Sequence, residues 1–482
     1  MHLGIDIGTS EVKVLLLGED HTVVGSAGVA LTVSRPHAGH SEQNPADWWA
    51  ATQQALHTLR AQHPAAYAAV RGIGLSGQMH GAVLLDAQNR VLRPAILWND
   101  TRCAAECVDL MAECPALPEL AGSLAMPGFT APKLRWVATH EPEVFAQVAK
   151  VLLPKDHVRL MLTGEHVTDL SDASGTLWLD VKQRAWSDTL LALTGLTQAH
   201  MPRLVEGSAV SAGLKADVAH SLGLTPGVPV AGGGGDNAAS AVGMGVTEAG
   251  QGFLSLGTSG VLFVVTPSYQ PNAASATHAF CHALPDRWHQ MSVMLSAASA
   301  LQWVTQLVGA PDAGAVAAQV AGLSASARAA APLFLPYLSG ERTPHNDAAV
   351  RGSFHGLDFD TDAARLGYAV MEGVTFGLKD GLMALNAAGS QVQRLSLVGG
   401  GARSAFWAQQ LASALGVEVV THHSSALGGA LGAARLAWLA TGGEPSAVCQ
   451  SPAVAAHFLP DADEQALLTP RYQQFRNLYR PR

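Results

Sequence analysis

Several features that mark particular protein classes are scarce in this chain of 482 residues. Charged residues make up only 14%, and Lys and Arg never form a block longer than a pair. With a formal net charge of −9, this composition argues against a nucleic-acid-binding protein. The five cysteines are irregularly spaced and lack the C-x-x-C pairs of a zinc site, so we expect reduced thiols.

Long apolar runs are also missing. No window reaches the roughly 18 uninterrupted apolar residues of a membrane span, and the first residues lack the basic start and apolar stretch of a signal peptide. A soluble, cytoplasmic protein is therefore expected. Hydrophobic residues make up 48%, which favours a packed globular fold, and the length suggests two domains.

One strand-turn-strand pattern occurs twice. Residues 3–17 read LGIDIGTSEVKVLLL, and residues 252–265 read GFLSLGTSGVLFVV. Either Gly-Thr-Ser turn alone has an ordinary explanation, because Gly and Ser are common in hairpin turns. Two such turns in matching contexts, half a chain apart, suggest two related domains.

Turns of this kind can bind phosphate, because consecutive backbone N–H groups and a hydroxyl can point into one cleft. Two turns facing each other could hold one polyphosphate. The phosphate candidates are Thr9, Ser10 and, more weakly, Lys13 in the first hairpin, and Gly257 and Thr258 in the second.

Two further segments read as a strand, a glycine turn and a helix, at 228–245 and 395–411. Glycines let the backbone approach a ligand closely. In the first segment Asp236 follows four glycines, where it could be a helix N-cap or an acid in a site. The turns also suggest a dinucleotide-binding oxidoreductase, but neither has G-x-G-x-x-G spacing.

Predicted strands and helices alternate along the whole chain. Helical spacing occurs at 43–60, 363–388 and 426–440, and short strands are predicted at 73–75 and 83–85. The fold class is therefore α/β. We predict a domain boundary near 245–251, giving an N-terminal domain over 1–247 and a C-terminal domain over 248–482.

The motifs resemble those of the FGGY family of sugar kinases, over nearly the whole chain. The family signatures correspond to GFTAPKLRW at 128–136 and to GSFHGL at 352–357, which continues to Met371 and Glu372. Further likeness lies in SGQMHG at 76–81, in ILWND at 96–100 and in FLPYLSGERTP at 334–344. Arg365 departs from the second signature, where a polar or acidic residue is usual.

This resemblance implies two ribonuclease-H-like domains of the actin, hexokinase and Hsp70 superfamily, with a central cleft. It also implies ATP-dependent phosphorylation of a sugar, and the Gln-Met-His segment favours D-xylulose and its 5-phosphate as product. Ribulose, fuculose, rhamnulose and gluconate stay open as substrates. An actin-like or Hsp70-like ATPase module is a more distant alternative.

The resemblance assigns roles to individual residues. Asp236 is implied to be the general base, ionised at a helix N-terminus. Asp6 is implied to hold Mg²⁺ directly or through water, although it could instead bond to the Gly-Thr-Ser turn. The sugar-binding candidates are Gln78, Met79, His80 and Asn237, and the adenosine candidates are Gly400, Gly401 and Ala402.

The implied partners are therefore small molecules, ATP with Mg²⁺ and a sugar, with no role for nucleic acid or membrane. Family members are often dimers. A homodimer stays open here, because no heptad pattern or long exposed apolar stripe in the sequence decides the oligomeric state.

Overall fold

The structure is a computed structural model that describes residues 1–423 and 428–480. Two seven-stranded sheets organise this part of the chain. The strands of the first sheet are β1 (His2–Ile7), β2 (Glu11–Leu17), β3 (Val23–Ala30), β4 (Gly72–Gly77), β5 (Val210–Gly213), β6 (Pro229–Ala231) and β7 (Gly234–Gly235). Their order is β5-β6-β4-β1-β2-β3, and β7 also pairs with β4.

The second sheet belongs to the second half of the chain. Its strands are β8 (Gln251–Leu256), β9 (Gly260–Thr266), β10 (His278–Cys281), β11 (Trp288–Met294), β12 (Arg394–Val398), β13 (Glu418–His422) and β14 (Val454–Phe458). Their order is β10-β11-β9-β8-β12-β13-β14. Smaller two-stranded pairs are Glu42–Gln43 with Ala95–Ile96, Val83–Leu85 with Lys150–Leu152, Val167–Asp169 with Arg203–Val205, Leu179–Asp180 with Ala185–Trp186, and Leu333–Leu335 with Ser353–His355.

Helices alternate with the strands. The main ones are α1 (Pro45–Gln62), α2 (Ala104–Glu113), α3 (Thr130–His140), α4 (Pro154–Thr163), α5 (Leu170–Ser174), α6 (Ala216–Leu222), α7 (Asp236–Gly243), α8 (Ala298–Leu307), α9 (Ala313–Ala321), α10 (Ala363–Ala387), α11 (Ala405–Leu415), α12 (Gly428–Ala440) and α13 (Ala462–Leu478). Shorter helical segments are Pro64–Ala68, Leu117–Ala121, Pro142–Phe145, Asp188–Ala192, Gln198–His200, Ala273–Ser275, Ala325–Ala329, Gly400–Arg403 and Pro445–Val448.

The repeated hairpin is confirmed in both halves. β1 pairs antiparallel with β2 and parallel with β4, and β8 pairs antiparallel with β9 and parallel with β12. The two sheets therefore share the same central arrangement. Most apolar residues of these strands are buried, which explains why runs such as 14–17 form strands at the centre of a sheet.

The predicted α/β alternation is confirmed as well. The predicted strands at 73–75 and 83–85 lie within observed strands, and the predicted helices correspond to α1, α10 and α12. Residues 426 and 427 of the third helix prediction lie outside the described residues. Throughout 1–423 and 428–480, no helix is long and apolar enough to cross a membrane.

Helix α12 follows strands of the second sheet but packs against the first. A Cβ on Gly4 of β1 would lie 2.0 Å from the carbonyl oxygen of Ala430, and one on Gly74 of β4 would lie 1.8 Å from that of Ala433. These glycines allow the helix backbone to rest directly on the strands. The boundary predicted after residue 247 stays a prediction, and this packing shows that the second half contributes a helix to the first sheet.

Candidate active site

The ends of three parallel strands bring together residues that are far apart in sequence. Asp6 of β1 is in register with Ser76 of β4, and Ser76 is also in register with Gly234 of β7. In open α/β sheets, ligands bind beyond the carboxyl ends of such strands. The pairing therefore places Asp6 and the glycine segment that leads into Asp236 on the two sides of Ser76, at the same level of the sheet.

Asp236 is the first residue of α7, after Gly235 at the N-cap position. Its Oδ1 atom accepts hydrogen bonds from the backbone N–H of Asn237 at 2.7 Å and from the Asn237 side-chain amide at 2.9 Å. Asp236 is therefore not the N-cap residue of α7, although its carboxylate accepts a backbone N–H in the first turn. Asn237 in turn fixes the direction in which the carboxylate points.

The electrostatic environment of Asp236 differs from the expectation of an ionised carboxylate with an ordinary pKa. Burial, together with the nearby charge of Asp6, raises the pKa of Asp236 to about 7, against the opposing effect of the bonds from Asn237. Burial also raises the pKa of Asp6, opposed by Ser76 and Lys13. In this desolvated site, ionisation of one of the two neighbouring carboxyls therefore disfavours ionisation of the other.

A cluster of buried ionic side chains lies next to the glycine segment. Lys155 Nζ lies 2.7 Å from Asp156, 2.8 Å from Asp169 and 2.9 Å from Asp172, and all four side chains are fully buried. Burial opposes the charge of Lys155, but the three carboxyls together raise its pKa. Burial raises the pKa of Asp172 well above its usual range.

This cluster is connected to the loop before Asp236. Arg159 donates to the carbonyl oxygens of Ala231 and Gly232. Ser171, which bonds to Asp169, accepts from the backbone N–H of Gly235 at 3.1 Å. Arg159 and the Ser171 hydroxyl thus hold the backbone at the two ends of the glycine run, which fixes the position of Asp236.

Met79 lies next to this loop, and His80 follows it beside Gly175. A Cβ on Gly235 would be 2.9 Å from Met79 Cγ, so the Met79 side chain rests directly against the residue before Asp236. His80 Nδ1 lies 2.7 Å from the carbonyl oxygen of Gly175. Burial, with smaller effects from Lys133 and other cations, lowers the pKa of His80 to about 3, so its ring is neutral near pH 7.

His80 has a left-handed backbone conformation, with φ of 70°. A non-glycine residue in this region costs free energy and needs support from its surroundings. Lys133 Nζ donates to the carbonyl oxygen of His80 at 2.9 Å and to that of Gly128 at 2.8 Å, and Thr130 adds a bond to His80 at 3.1 Å. Lys133 is fully buried, and burial lowers its pKa to about 7.

Gln78 has a different environment from its neighbours. Its Oε1 accepts from the Thr9 hydroxyl at 2.9 Å, and its Nε2 donates to Gln43 Oε1 at 2.9 Å and to the Gly8 carbonyl oxygen at 3.5 Å. The side chain is buried. Its amide is therefore occupied by the first hairpin and by Gln43.

In the turn of the first hairpin, the side chain of Thr9 and the backbone N–H groups have different environments. The Thr9 hydroxyl bonds to Gln78 and accepts from Trp98 Nε1 at 3.0 Å. Among the described residues, the backbone N–H groups of Thr9 and Ser10 have no acceptor. Lys13 forms an ion pair with Glu11 at 3.1 Å, and its side chain is half-buried.

The second hairpin opens onto a large cavity of about 1180 Å³. Its lining includes Gly257, Thr258, Gly400, Gly401 and Ser404. The strand, glycine turn and helix predicted at 395–411 are observed as β12, a short helical turn and α11. Ala402 packs partly buried against the core of the second half.

Comparison with known proteins identifies the family. The model of the N-terminal domain of the FGGY family of carbohydrate kinases matches residues 1–243, and that of the C-terminal domain matches residues 252–441. The chain belongs to this family. The FGGY assignment confirms the resemblance noted in the sequence, and it argues against a dinucleotide-binding oxidoreductase and against an ATPase module that moves a partner protein.

Similar FGGY kinases cover nearly the whole chain. A xylulose kinase from Escherichia coli K12 is 51% identical over 99% of this chain and 98% of its own. A solved structure from Brucella ovis, described as a xyloylose kinase, is 51% identical with a TM-score of 0.96, covering 99% of this chain and 98% of its own. A solved gluconate kinase from Lactobacillus acidophilus is 26% identical with a TM-score of 0.90, covering 98% and 97%.

Some residues that shape this FGGY site were not assigned roles from the sequence. Lys133 stands within a quoted signature, but only the structure shows which carbonyls it binds. Gly429 of α12 is a second such residue. A Cβ at this position would lie 2.6 Å from Asp6 Oδ2, so the α12 backbone closely approaches the Asp6 carboxylate. The paired glycines at 428–429 were the available signal, but nothing in the sequence placed them beside Asp6.

Proposed function

We propose that this FGGY kinase transfers the γ-phosphoryl group of ATP to the 5-hydroxyl of D-xylulose, giving D-xylulose 5-phosphate. The observation that carries the substrate assignment is the 51% identity to a xylulose kinase over 99% of the chain. The Met79 side chain beside the Asp236 loop, with His80 next to it at Gly175, supports a sugar site at this place. Sugar and nucleotide are the substrates that the family assignment itself implies.

Asp236 is proposed as the general base. Its carboxylate would accept the proton of the sugar hydroxyl while the bond from that oxygen to phosphorus forms and ADP leaves. A base is most effective when its pKa lies near the working pH, and burial and Asp6 raise the pKa of Asp236 to about 7. Asn237 would orient the carboxylate and present the rest of its amide to the sugar.

The phosphates of ATP would lie between the two hairpins. The free N–H groups of Thr9 and Ser10 support this assignment in the first half, and the cavity beside Gly257 and Thr258 supports it in the second. Gly400 and Gly401 would allow close approach of the adenosine. Ala402 and Lys13 would lie next to these contacts.

Asp6 is proposed to hold Mg²⁺. Its Oδ1 atom is buried without a hydrogen-bond partner in the described residues, and carboxylate oxygens suit this hard cation. Within the same residues, no cluster of three or more His, Cys, Asp or Glu side chains could hold a metal. A Mg²⁺ ion bound mainly by ATP phosphates fits such a site, and it would neutralise charge on the transferred group.

The role of the base is tested with Asp236→Asn. We expect turnover to fall by about 10²- to 10⁴-fold, because the hydroxyl loses its proton acceptor, while the affinity for ATP changes little. Coupled ADP release with D-xylulose measures the first, and nucleotide titration measures the second. Asp217→Asn, an exposed aspartate in the first turn of α6, is the matched control. Turnover within a few-fold of the unsubstituted enzyme would remove Asp236 from this role.

The choice of sugar is tested with a panel of acceptors. D-xylulose should give the highest kcat/KM against D-ribulose, L-fuculose, L-rhamnulose and D-gluconate, because a few pocket contacts decide hydroxyl configuration. The gluconate kinase neighbour makes D-gluconate the informative competitor. Better turnover of another acceptor would change the substrate and leave the kinase activity in place.

Three expectations from the sequence stay predictions. They are the domain boundary after residue 247, a homodimeric assembly and a cytoplasmic location.

A further inference from the structure

The second half of the chain points one charged side chain toward the sugar end of the site. Arg342 is half-buried, and in the described residues no hydrogen bond or ion pair engages its guanidinium. Its Nη2 atom lies 3.9 Å from the position that a Cβ on Gly128 would occupy, and the Trp98 carbonyl oxygen lies 2.7 Å from that position. The guanidinium therefore faces the first half beside Trp98 and Gly128.

The backbone on both sides of Arg342 is fixed. The Glu341 carboxylate accepts from the N–H groups of Arg342 at 2.8 Å and of Leu295 at 3.0 Å. The Thr343 hydroxyl donates to the Ala276 carbonyl oxygen at 2.8 Å and accepts from the Val293 N–H at 3.1 Å. These bonds attach the segment around Arg342 to β11 and its neighbours. The side chain thus starts from a preorganised position, which lowers the entropy cost of binding a ligand.

The neighbours of Arg342 neutralise it only in part, since burial lowers the pKa of Arg342 and the charge of Glu341 raises it. Burial, and to a smaller extent the charge of Arg342, lowers the pKa values of His80 and His278 to about 3, so both rings are uncharged. The Phe129 ring lies beside both, at 4.6 Å from the ring of His80 and 5.6 Å from that of His278. Glu341 uses one oxygen for backbone N–H groups, and burial raises its pKa to about 7.

The half-buried guanidinium has five N–H donors and is partly removed from water, so it favours a ligand that supplies acceptors. Carbonyl and hydroxyl oxygens of a ketose can supply these acceptors. Arg342 lies beside His80 and Gly128, whereas Asp236 receives the proton of the phosphorylated hydroxyl. The available partners are therefore the remaining oxygens of the sugar.

We propose that Arg342 binds the ketose, donating hydrogen bonds to sugar oxygens other than the one that is phosphorylated. This inference rests on the proposed function and adds a contact from the second half to a sugar site built on the first. Because the two sides of the contact come from different halves, it also favours the arrangement in which both halves enclose the sugar.

The test compares Arg342→Met and Arg342→Lys with the unsubstituted full-length enzyme. D-xylulose is titrated by calorimetry in the presence of a non-hydrolysable ATP analogue, and the affinity for the analogue is measured separately without sugar. Arg342→Met should weaken D-xylulose binding by about ten- to a hundredfold, since bonds to a charged donor are lost. Arg342→Lys should lose less, because it keeps the charge without the planar fork. The affinity for the ATP analogue measured without sugar should change by less than about threefold.

Two controls separate a sugar contact from a structural effect. Arg351→Met, an exposed arginine of the same half, should leave D-xylulose binding unchanged. Two analogues locate the contact: xylitol replaces the ketone by a hydroxyl, and 1-deoxy-D-xylulose lacks the 1-hydroxyl. If Arg342 binds the ketone oxygen, Arg342→Met should weaken xylitol binding less than D-xylulose binding. If Arg342 binds the 1-hydroxyl, the smaller loss of affinity should be seen with 1-deoxy-D-xylulose. If Arg342→Met does not fold, Arg342→Lys with the same three ligands gives the comparison.

Unchanged D-xylulose affinity in folded Arg342→Met and Arg342→Lys would overturn the inference. Equal losses for D-xylulose and both analogues, with a matching loss of ATP-analogue affinity in the absence of sugar, would also overturn it, because that pattern indicates a structural defect. If the unsubstituted enzyme binds D-xylulose through Arg342 but does not phosphorylate it, the proposed function is wrong and the inference about Arg342 stands.

Discussion

At the scale of single residues, Gln78 connects the turn of the first hairpin to the segment that carries Met79 and His80. Its amide bonds to the Thr9 hydroxyl and to Gln43 Oε1, each at 2.9 Å. The sequence placed Gln78 among the sugar ligands because it precedes the other two in the same motif. The observed bonds instead favour a role in positioning the phosphate hairpin.

Gln78→Leu should therefore affect the nucleotide more than the sugar. We expect the KM for ATP to rise by up to about tenfold, because Thr9 loses its acceptor and the turn is no longer held. D-xylulose affinity measured without nucleotide should stay within about twofold. Gln88→Leu, at an exposed glutamine, controls for the change of side chain. Weaker D-xylulose binding with an unchanged KM for ATP would restore Gln78 as a sugar ligand.

Motifs in the sequence predicted which residues form the site, but not their electrostatic environment. The proposed roles of Asp6, Asp236, Met79 and His80 came from motifs, and the structure brings Asp6 close to Asp236 and Met79 against the Asp236 loop. The pKa of Asp236 could not be predicted, because burial and the proximity of Asp6 arise from the pairing of distant strands. The free guanidinium of Arg342 depends on how the two halves face each other, which no local pattern contains.

At the scale of elements, the repeated hairpins were predictable because apolar strands and a Gly-Thr-Ser turn are local features. The position of α12 was not. Its helical spacing was visible in the sequence, but its packing on the first sheet depends on glycines in other elements, such as Gly4 and Gly74. A helix pattern indicates which face is apolar, whereas it does not say which sheet that face will cover.

The contact between α12 and α7 leaves no space for a side chain. A Cβ on Gly432 of α12 would lie 1.7 Å from the carbonyl oxygen of Ala239 in α7, the helix that begins at Asp236. Gly432→Ala must separate the two helices, at a cost of about 1–3 kcal/mol. We expect a lower unfolding temperature and a lower kcat, because displacement of α7 moves the proposed base.

The matched control for this prediction is Gly322→Ala at the end of α9. A Cβ there would meet the Gln319 carbonyl oxygen at 3.4 Å, an ordinary contact, so stability should be unchanged or slightly higher. Thermal unfolding and coupled ADP assays measure both variants. Gly432→Ala with the stability and kcat of the unsubstituted enzyme would mean that the two helices do not constrain the site.

At the scale of the whole molecule, the proposed ligands divide between the two halves. The sugar candidates Met79, His80 and Asn237 belong to the first half, whereas the cavity beside Gly257 and Gly400 belongs to the second. Arg342 would add a sugar contact from the second half, and Thr9 would add a phosphate contact from the first. Each ligand therefore gains its full set of contacts only when the halves come together around both.

Such an arrangement predicts positive coupling between sugar and nucleotide. D-xylulose should increase the affinity for a non-hydrolysable ATP analogue by about five- to 150-fold, because the sugar stabilises the arrangement in which both hairpins reach the phosphates. By linkage, the analogue must increase the affinity for D-xylulose by the same factor. Four calorimetric titrations, each ligand with and without the other, measure both factors.

Arg342→Met provides a matched variant for this coupling, since it removes the proposed sugar contact of the second half and leaves the nucleotide cavity intact. The coupling factor should fall toward one, while the affinity for the ATP analogue without sugar stays unchanged. Small-angle scattering should show compaction with both ligands in the unsubstituted enzyme and less in the variant. Equal coupling factors in the two proteins would show that the halves close without Arg342, and independent binding in both would show that closure does not link the two sites.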